Sequence, residues 1–210
     1  MGNKKKEALT QFNKDNILSA ARKLFETNGI ANTTVDAIAK EADYSKSTIY
    51  VYFKSKEEIL CNIIYEQMVI LKDMLCKCMN KSVNFEDTYY EICKVLVKFQ
   101  EKYPVYYDVM LSEIKVTKQD IAEQNISAAI YDIGEEINDL IEKLLKKGID
   151  CGFIKDNIEL IPTVFYLWSS ISETIRFADR KQEYFKMRLG INKTEYMNYG
   201  FKMLLQSIKK

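Results

Sequence analysis

Apolar positions fall three and four residues apart along most of this chain, the spacing of amphipathic helices. Ile17, Leu18, Ala21, Leu24 and Phe25 make one stripe. They predict a helix over residues 15–28, closed by Gly29, where glycine tolerates the left-handed cap. Val35, Ile38, Ala39 and Ala42 make a second, shorter stripe of about two turns. Thr33 and Thr34 are its candidate N-caps, with Asp36, three after Thr33, as the capping-box acceptor. A tight connection, Asp43-Tyr44-Ser45, leads to a third helix over residues 46–53. Ile49 and Phe53 share one face of it, which leaves Lys46, Ser47, Thr48, Tyr50 and Tyr52 on the others.

The same periodicity predicts a long helix over residues 56–79, broken by residues 80–84, and another from Phe85 to a stop at Pro104. A short helix is expected over 105–114. Thr117 and Asp120 read as a capping box ahead of one long helix to Lys147, with Gly148 as its C-terminal cap. Residues 149–155 read as a connection, 157–179 as a strongly apolar helix, and Asn192 with Glu195 as the cap of a last helix through Ile208. The expectation is all-α with about nine helices, no strand pattern, and no repeat or low-complexity tract beyond a lysine-rich leader at residues 3–6.

Composition supports this and narrows the chemistry. Two prolines and seven glycines in 210 residues leave few helix breakers, and 47% hydrophobic content suffices for a core. The longest apolar run, residues 160–168, contains Pro162 and falls short of the roughly 20 residues a bilayer span requires, so no membrane association is expected. Cys61, Cys76, Cys78, Cys93 and Cys151 are an odd set with no secretory leader, read as reduced thiols of a cytoplasmic protein. Histidine is absent, which closes His-based zinc sites and Ser-His-Asp or Cys-His catalysis. No catalytic residue, metal or cofactor is expected. The net charge of +1 is unevenly spread: residues 1–56 hold ten Lys/Arg and six Asp/Glu, a net of +4, and the rest of the chain carries −3.

Two short helices joined by a tight turn, the second bearing small polar and basic side chains, form a helix-turn-helix pattern. A helix entering the major groove needs short contact residues, and Ser45, Ser47 and Thr48 meet that need. Lys46, Lys54 and Lys56 suit phosphates, and Tyr50 and Tyr52 carry hydroxyls on rigid rings. The run Thr48-Ile49-Tyr50-Val51-Tyr52-Phe53-Lys54-Ser55-Lys56-Glu57, with Ala20-Ala21, Leu24-Phe25 and Asn28-Gly29 before it, resembles the DNA-binding domain of the TetR family over residues 15–60. The resemblance implies that Thr34 caps the second helix near a phosphate. It also implies that Tyr44, Ser45, Lys46, Ser47 and Thr48 lie at the groove and that Tyr50, Tyr52 and Lys56 clamp the backbone. Two departures stand out: Asp43 replaces the turn glycine, and Ser47 stands where glycine is common. Asp tolerates the left-handed conformation better than most residues, so the turn is expected to survive.

By the same resemblance, residues 1–56 form the DNA-binding domain and 57–210 an effector-binding and dimerisation domain. Its last two long helices pair with those of a second subunit, so the partners are a near-palindromic double-stranded operator, a second copy, and an unidentified small-molecule effector. The implied function is a dimeric repressor released by a small hydrophobic or aromatic effector. Tyr103, Tyr107, Phe165 and Trp168 are the candidate effector residues, drawn from an aromatic-rich stretch that also suits a helical core. Three other readings remain open. Cys76 and Cys78 suggest a redox sensor, although i and i+2 on a helix point about 200° apart. An enzyme would need more than adjacent carboxylates such as Glu135-Glu136 or Glu57-Glu58. An architectural DNA-binding protein would need no small molecule.

Overall fold

The computed structural model describes residues 2–81, 84–112 and 116–210, with side chains from Lys4 onward. Among these residues there are ten helices: α1 (Gly2–Asn28), α2 (Val35–Glu41), α3 (Lys46–Tyr52), α4 (Lys56–Met79), α5 (Phe85–Lys102), α6 (Pro104–Met110), α7 (Lys118–Glu123), α8 (Ile126–Asp150), α9 (Leu160–Leu189) and α10 (Lys193–Ile208). Extended pairing among the described residues is limited to one isolated bridge, Ile154 with Lys209. No helix there is long and apolar enough to cross a membrane.

The chain divides into two compact units, Met1–Val69 with Val105–Asp132, and Ile70–Pro104 with Ile133–Lys210. In the first, α1, α2 and α3 pack on one another. Their apolar stripes supply Ile17, Ala21, Phe25, Ile38, Ile49 and Phe53 to a shared core, and Ile59 and Ile63 of α4 are buried as well. Each such large side chain contributes about 1.5–3 kcal/mol on burial. The second unit is built on the pairing of α9 with α10, and α5 packs on both. Val164, Ile171, Ile175, Phe201 and Leu205 are buried there. Phe185 and Tyr196 stack at 4.2 Å, and the buried Tyr89 hydroxyl donates to the Phe201 carbonyl at 2.9 Å.

Several expectations need correction. The helix expected from Thr117 to Lys147 is two helices, which makes ten rather than nine. Gln124 adopts φ 49°, and the Asn125 carboxamide oxygen then accepts the Ser127 amide at 2.9 Å, so α8 starts afresh. Gly148 is not a cap: α8 continues to Asp150. A Cβ there would stand 2.6 Å from Ile154 Cδ1 and 2.7 Å from Phe85 Cδ2, so the glycine permits close packing. Thr33 does not cap α2 either. It is buried, and its hydroxyl donates to the carbonyls of Gly29 and Leu24, at 2.9 and 3.2 Å. Asp36 consequently makes no capping box, whereas Thr117 with Asp120 and Asn192 with Glu195 both do. α9 continues ten residues past Asp179, to Leu189. The short helix expected to reach Ile114 is described to Met110; Ile114 lies outside the described residues, as do Ser82 and Val83 of the break after α4.

Candidate nucleic-acid interface

Thr34 opens α2, accepting the Ala37 amide at 3.2 Å. The helix ends with the Ala42 amide on the Ile38 carbonyl, and Asp43 then takes φ 63°, the left-handed conformation expected of the turn. This reverses the chain within a few residues and returns the Tyr44 amide to the Ala39 carbonyl at 2.9 Å. Ser45 caps α3, accepting the Thr48 amide at 3.1 Å. Its Oγ lies 2.7 Å from Ser47 Oγ and 2.8 Å from Thr48 Oγ1, a cluster of three hydroxyls at the head of α3. Buried Ile49 and Phe53 hold α3 from below, and Ser45, Lys46, Ser47, Tyr50 and Val51 are exposed.

The tyrosines differ in their surroundings. Tyr44 donates to Asn13 Oδ1 and Asn13 Nδ2 donates to Tyr52 Oη, both at 2.7 Å. One α1 side chain therefore ties the turn to the far end of α3, and the Tyr52 proton stays available to an outside acceptor. Tyr50 stands free of that network on the exposed side.

The lysines are more engaged than their spacing suggests. Lys46 Nζ lies 2.8 Å from Asp36 Oδ2, a hydrogen bond and opposite charge that hold its pKa above the ordinary lysine value. Half-buried Lys56 donates to the carbonyls of Ile30 and Thr33, both at 2.9 Å. It staples the α1–α2 connection to the start of α4 and retains one N–H for another acceptor. Sequence reasoning missed Asn13 and the Asp36–Lys46 pair. Asn13 finds its partners 31 and 39 residues away, so no local pattern could mark it.

The four candidate effector residues differ in their surroundings. Tyr103, half-buried at the end of α5, packs on Phe99 with centroids 5.1 Å apart, and Lys102 Nζ lies 4.9 Å from its ring. Tyr107 is buried on α6 in the first unit. Phe165 is 55% exposed on α9. Trp168 lines an apolar cavity of about 30 Å³ in the second unit, with Tyr89, Leu96, Ile141, Leu144 and Ile171 among its walls. The other wall residues were not singled out in the sequence because their spacing is that of ordinary core. Burial pushes the Cys93 thiol up to about 12 and the Cys78 thiol up to about 11, far from the thiolate that redox sensing requires.

Residues 17–62 match the family model of bacterial regulatory proteins, tetR family. The chain is 27% identical over 139 residues to the HTH-type transcriptional regulator YhgD of Bacillus subtilis, covering 66% of this chain and 70% of that one. It is 28% identical over 186 residues to IcaR of Staphylococcus aureus, the negative transcriptional regulator of a biofilm operon, covering 82% and 92%. The fold matches that of the transcriptional regulator FadR from Bacillus subtilis, solved in complex with stearoyl-CoA, with a TM-score of 0.70 at 20% identity over 92% of this chain and 98% of that one. These relatives are regulators of transcription rather than enzymes.

Proposed function

From the premise that this chain is a transcriptional regulator of the TetR family, binding DNA through its helix-turn-helix, we propose that it is a dimeric repressor. In this reading residues 1–56 read a near-palindromic operator, and residues 57–210 dimerise and take a small hydrophobic or aromatic effector that releases the DNA. The observation that carries it is the make-up of α3: two buried apolar anchors below, and an exposed set of short hydroxyls and Tyr50 above. Ser45, Ser47 and Thr48 face base edges, with Tyr44 beside them, while Thr34, Tyr50, Tyr52 and Lys46 serve phosphates. Lys56 holds the connection before α2 and offers its remaining N–H to the backbone.

Dimerisation is supported by exposed apolar side chains toward both ends of α9, Ile161 and Phe165 near its start and Tyr184 and Met187 near its end. Phe165 fits that role better than a ligand wall. For the effector, the support is the Trp168 cavity. About 30 Å³ is well below the roughly 300–1,000 Å³ of a small-molecule site, so an effector must open it. The FadR complex with stearoyl-CoA makes an apolar ligand the first class to try. Its differential affinity for two arrangements would act through α4, whose residues fall in both units.

The test is selection of bound fragments from genomic DNA by the full-length chain, followed by titration of the selected duplex with the chain and with Thr48→Ala and Tyr50→Ala. Sequence-selective binding that Thr48→Ala relaxes and Tyr50→Ala weakens on every sequence is expected. Equal binding of selected and scrambled duplexes would overturn the reading.

A further inference from the structure

The helix-turn-helix leaves the lysine-rich leader unused. In α1, burial begins only at Ile17, and every side chain from Lys4 to Phe12 is exposed. Those turns bury no core and contain Lys4, Lys5 and Lys6 at the end where the helix dipole disfavours cations, with no acidic residue in the first turn. Among the described residues no ion pair engages any of the three. The lysines are thus placed at a local electrostatic cost that an external polyanion would relieve.

The register of α1 says where that polyanion lies. Asn13 is the point at which α1 meets Tyr44 and Tyr52. Thr10 and Lys6 precede it by three and seven residues, so all three share one helical stripe. Lys6 stands about 10 Å further along the axis than Asn13. Lys5 lies roughly 80° off that stripe and Lys4 on the opposite side.

We propose that the first half of α1 is a second DNA-contacting element, placing Lys6 and then Lys5 on duplex phosphates flanking the sequence read by α3. The proposal rests on the DNA-binding reading above. An anionic membrane offers similar charge, but the exposed turns present only Leu9 and Phe12 as large apolar residues, too little for an interfacial helix.

The experiment compares the full-length chain with a Lys5→Gln/Lys6→Gln variant and a charge-matched Lys98→Gln/Lys143→Gln control from the second unit. Binding to the selected duplex and to a random duplex of equal length is measured by anisotropy across a salt series. The leader variant should lower the slope of log affinity against log salt by about 0.9 for each phosphate left without its lysine, close to 2 per subunit, on both duplexes. The control should match the unmodified chain. Amides of residues 4–12 should also exchange more slowly when DNA is bound. Equal slopes for the leader variant and the control overturn the proposal. So does a leader variant that loses binding to phosphatidylglycerol vesicles while keeping its DNA slope, an outcome that assigns the lysines to a membrane. If the unmodified chain binds selectively and the slopes are equal, this inference fails alone; an unmodified chain without selectivity fails the regulator reading instead.

Discussion

α3 and α9 differ in the mixture of residues they turn outward. α3 has seven residues, buries Ile49, and exposes hydroxyls and a lysine around Tyr50. α9 has thirty residues, buries Val164, Leu167, Ile171, Ile175 and Phe185, and still exposes Phe165 and Met187. Both are held by apolar faces below, so the difference lies in what each outer face awaits. A polar, cation-bearing face keeps its value in water and gains most from a polyanion. Exposed apolar side chains such as Ile161, Phe165 and Met187 cost free energy in water until something apolar covers them. Under the proposed function, exposure would serve both helices, its chemistry separating a DNA contact at α3 from a protein contact at α9.

The strongest challenge to this contrast is removal of the base beneath α3. Phe25→Ala empties a fully buried site in the core shared with α2 and α3. It should cost about 3–5 kcal/mol in denaturant unfolding and abolish selective DNA binding. Self-association in sedimentation equilibrium should persist if the α9 face acts independently.

On the α9 side, Phe165→Ala should weaken self-association by about 2 kcal/mol, near 30-fold, as removal of an aromatic anchor from an interface does. Unchanged dimerisation combined with an abolished thermal shift from an apolar ligand would return Phe165 to the effector site and erase the contrast.

Lys56→Met separates support from contact. Losing two charge-assisted bonds to the Ile30 and Thr33 carbonyls should lower stability by about 2 kcal/mol. If the remaining N–H reaches a phosphate, the salt slope also falls, by about 0.9 per subunit. A fall in slope without a fall in melting temperature would mean that the staple contributes nothing.

The smallest effect is expected from Asp36→Asn. The exposed pair should add little to stability, but without the carboxylate the Lys46 pKa returns toward its ordinary value. Removing that negative charge should strengthen binding to all duplexes modestly and without sequence preference. Weaker binding instead would show that Asp36 orients Lys46 for contact.

Much of this was legible in the residues. Helical periodicity marked every helix except the division between α7 and α8, although not every end, because the repeat of Ile17, Ala21 and Phe25 or of Ile49 and Phe53 is itself the apolar face that packs. Local chemistry also placed the caps at Asn192 and Thr117 and the left-handed Asp43, since each needs partners only a few residues away. The break at Gln124 lacked a glycine or proline to announce it.

What the sequence determined by itself was the order of helices, the turn, and the polar face of α3, all set by interactions between near neighbours. Tertiary structure decided which partners the polar atoms take. It placed Asn13 between two tyrosines, buried Thr33 against α1, turned Lys56 onto two carbonyls and brought Gly148 against Ile154 and Phe85. It also set Phe165 on an open face and Trp168 at a cavity, though they sit three residues apart. A helix carries its own periodicity, but which of its faces meets another element depends on segments tens of residues away.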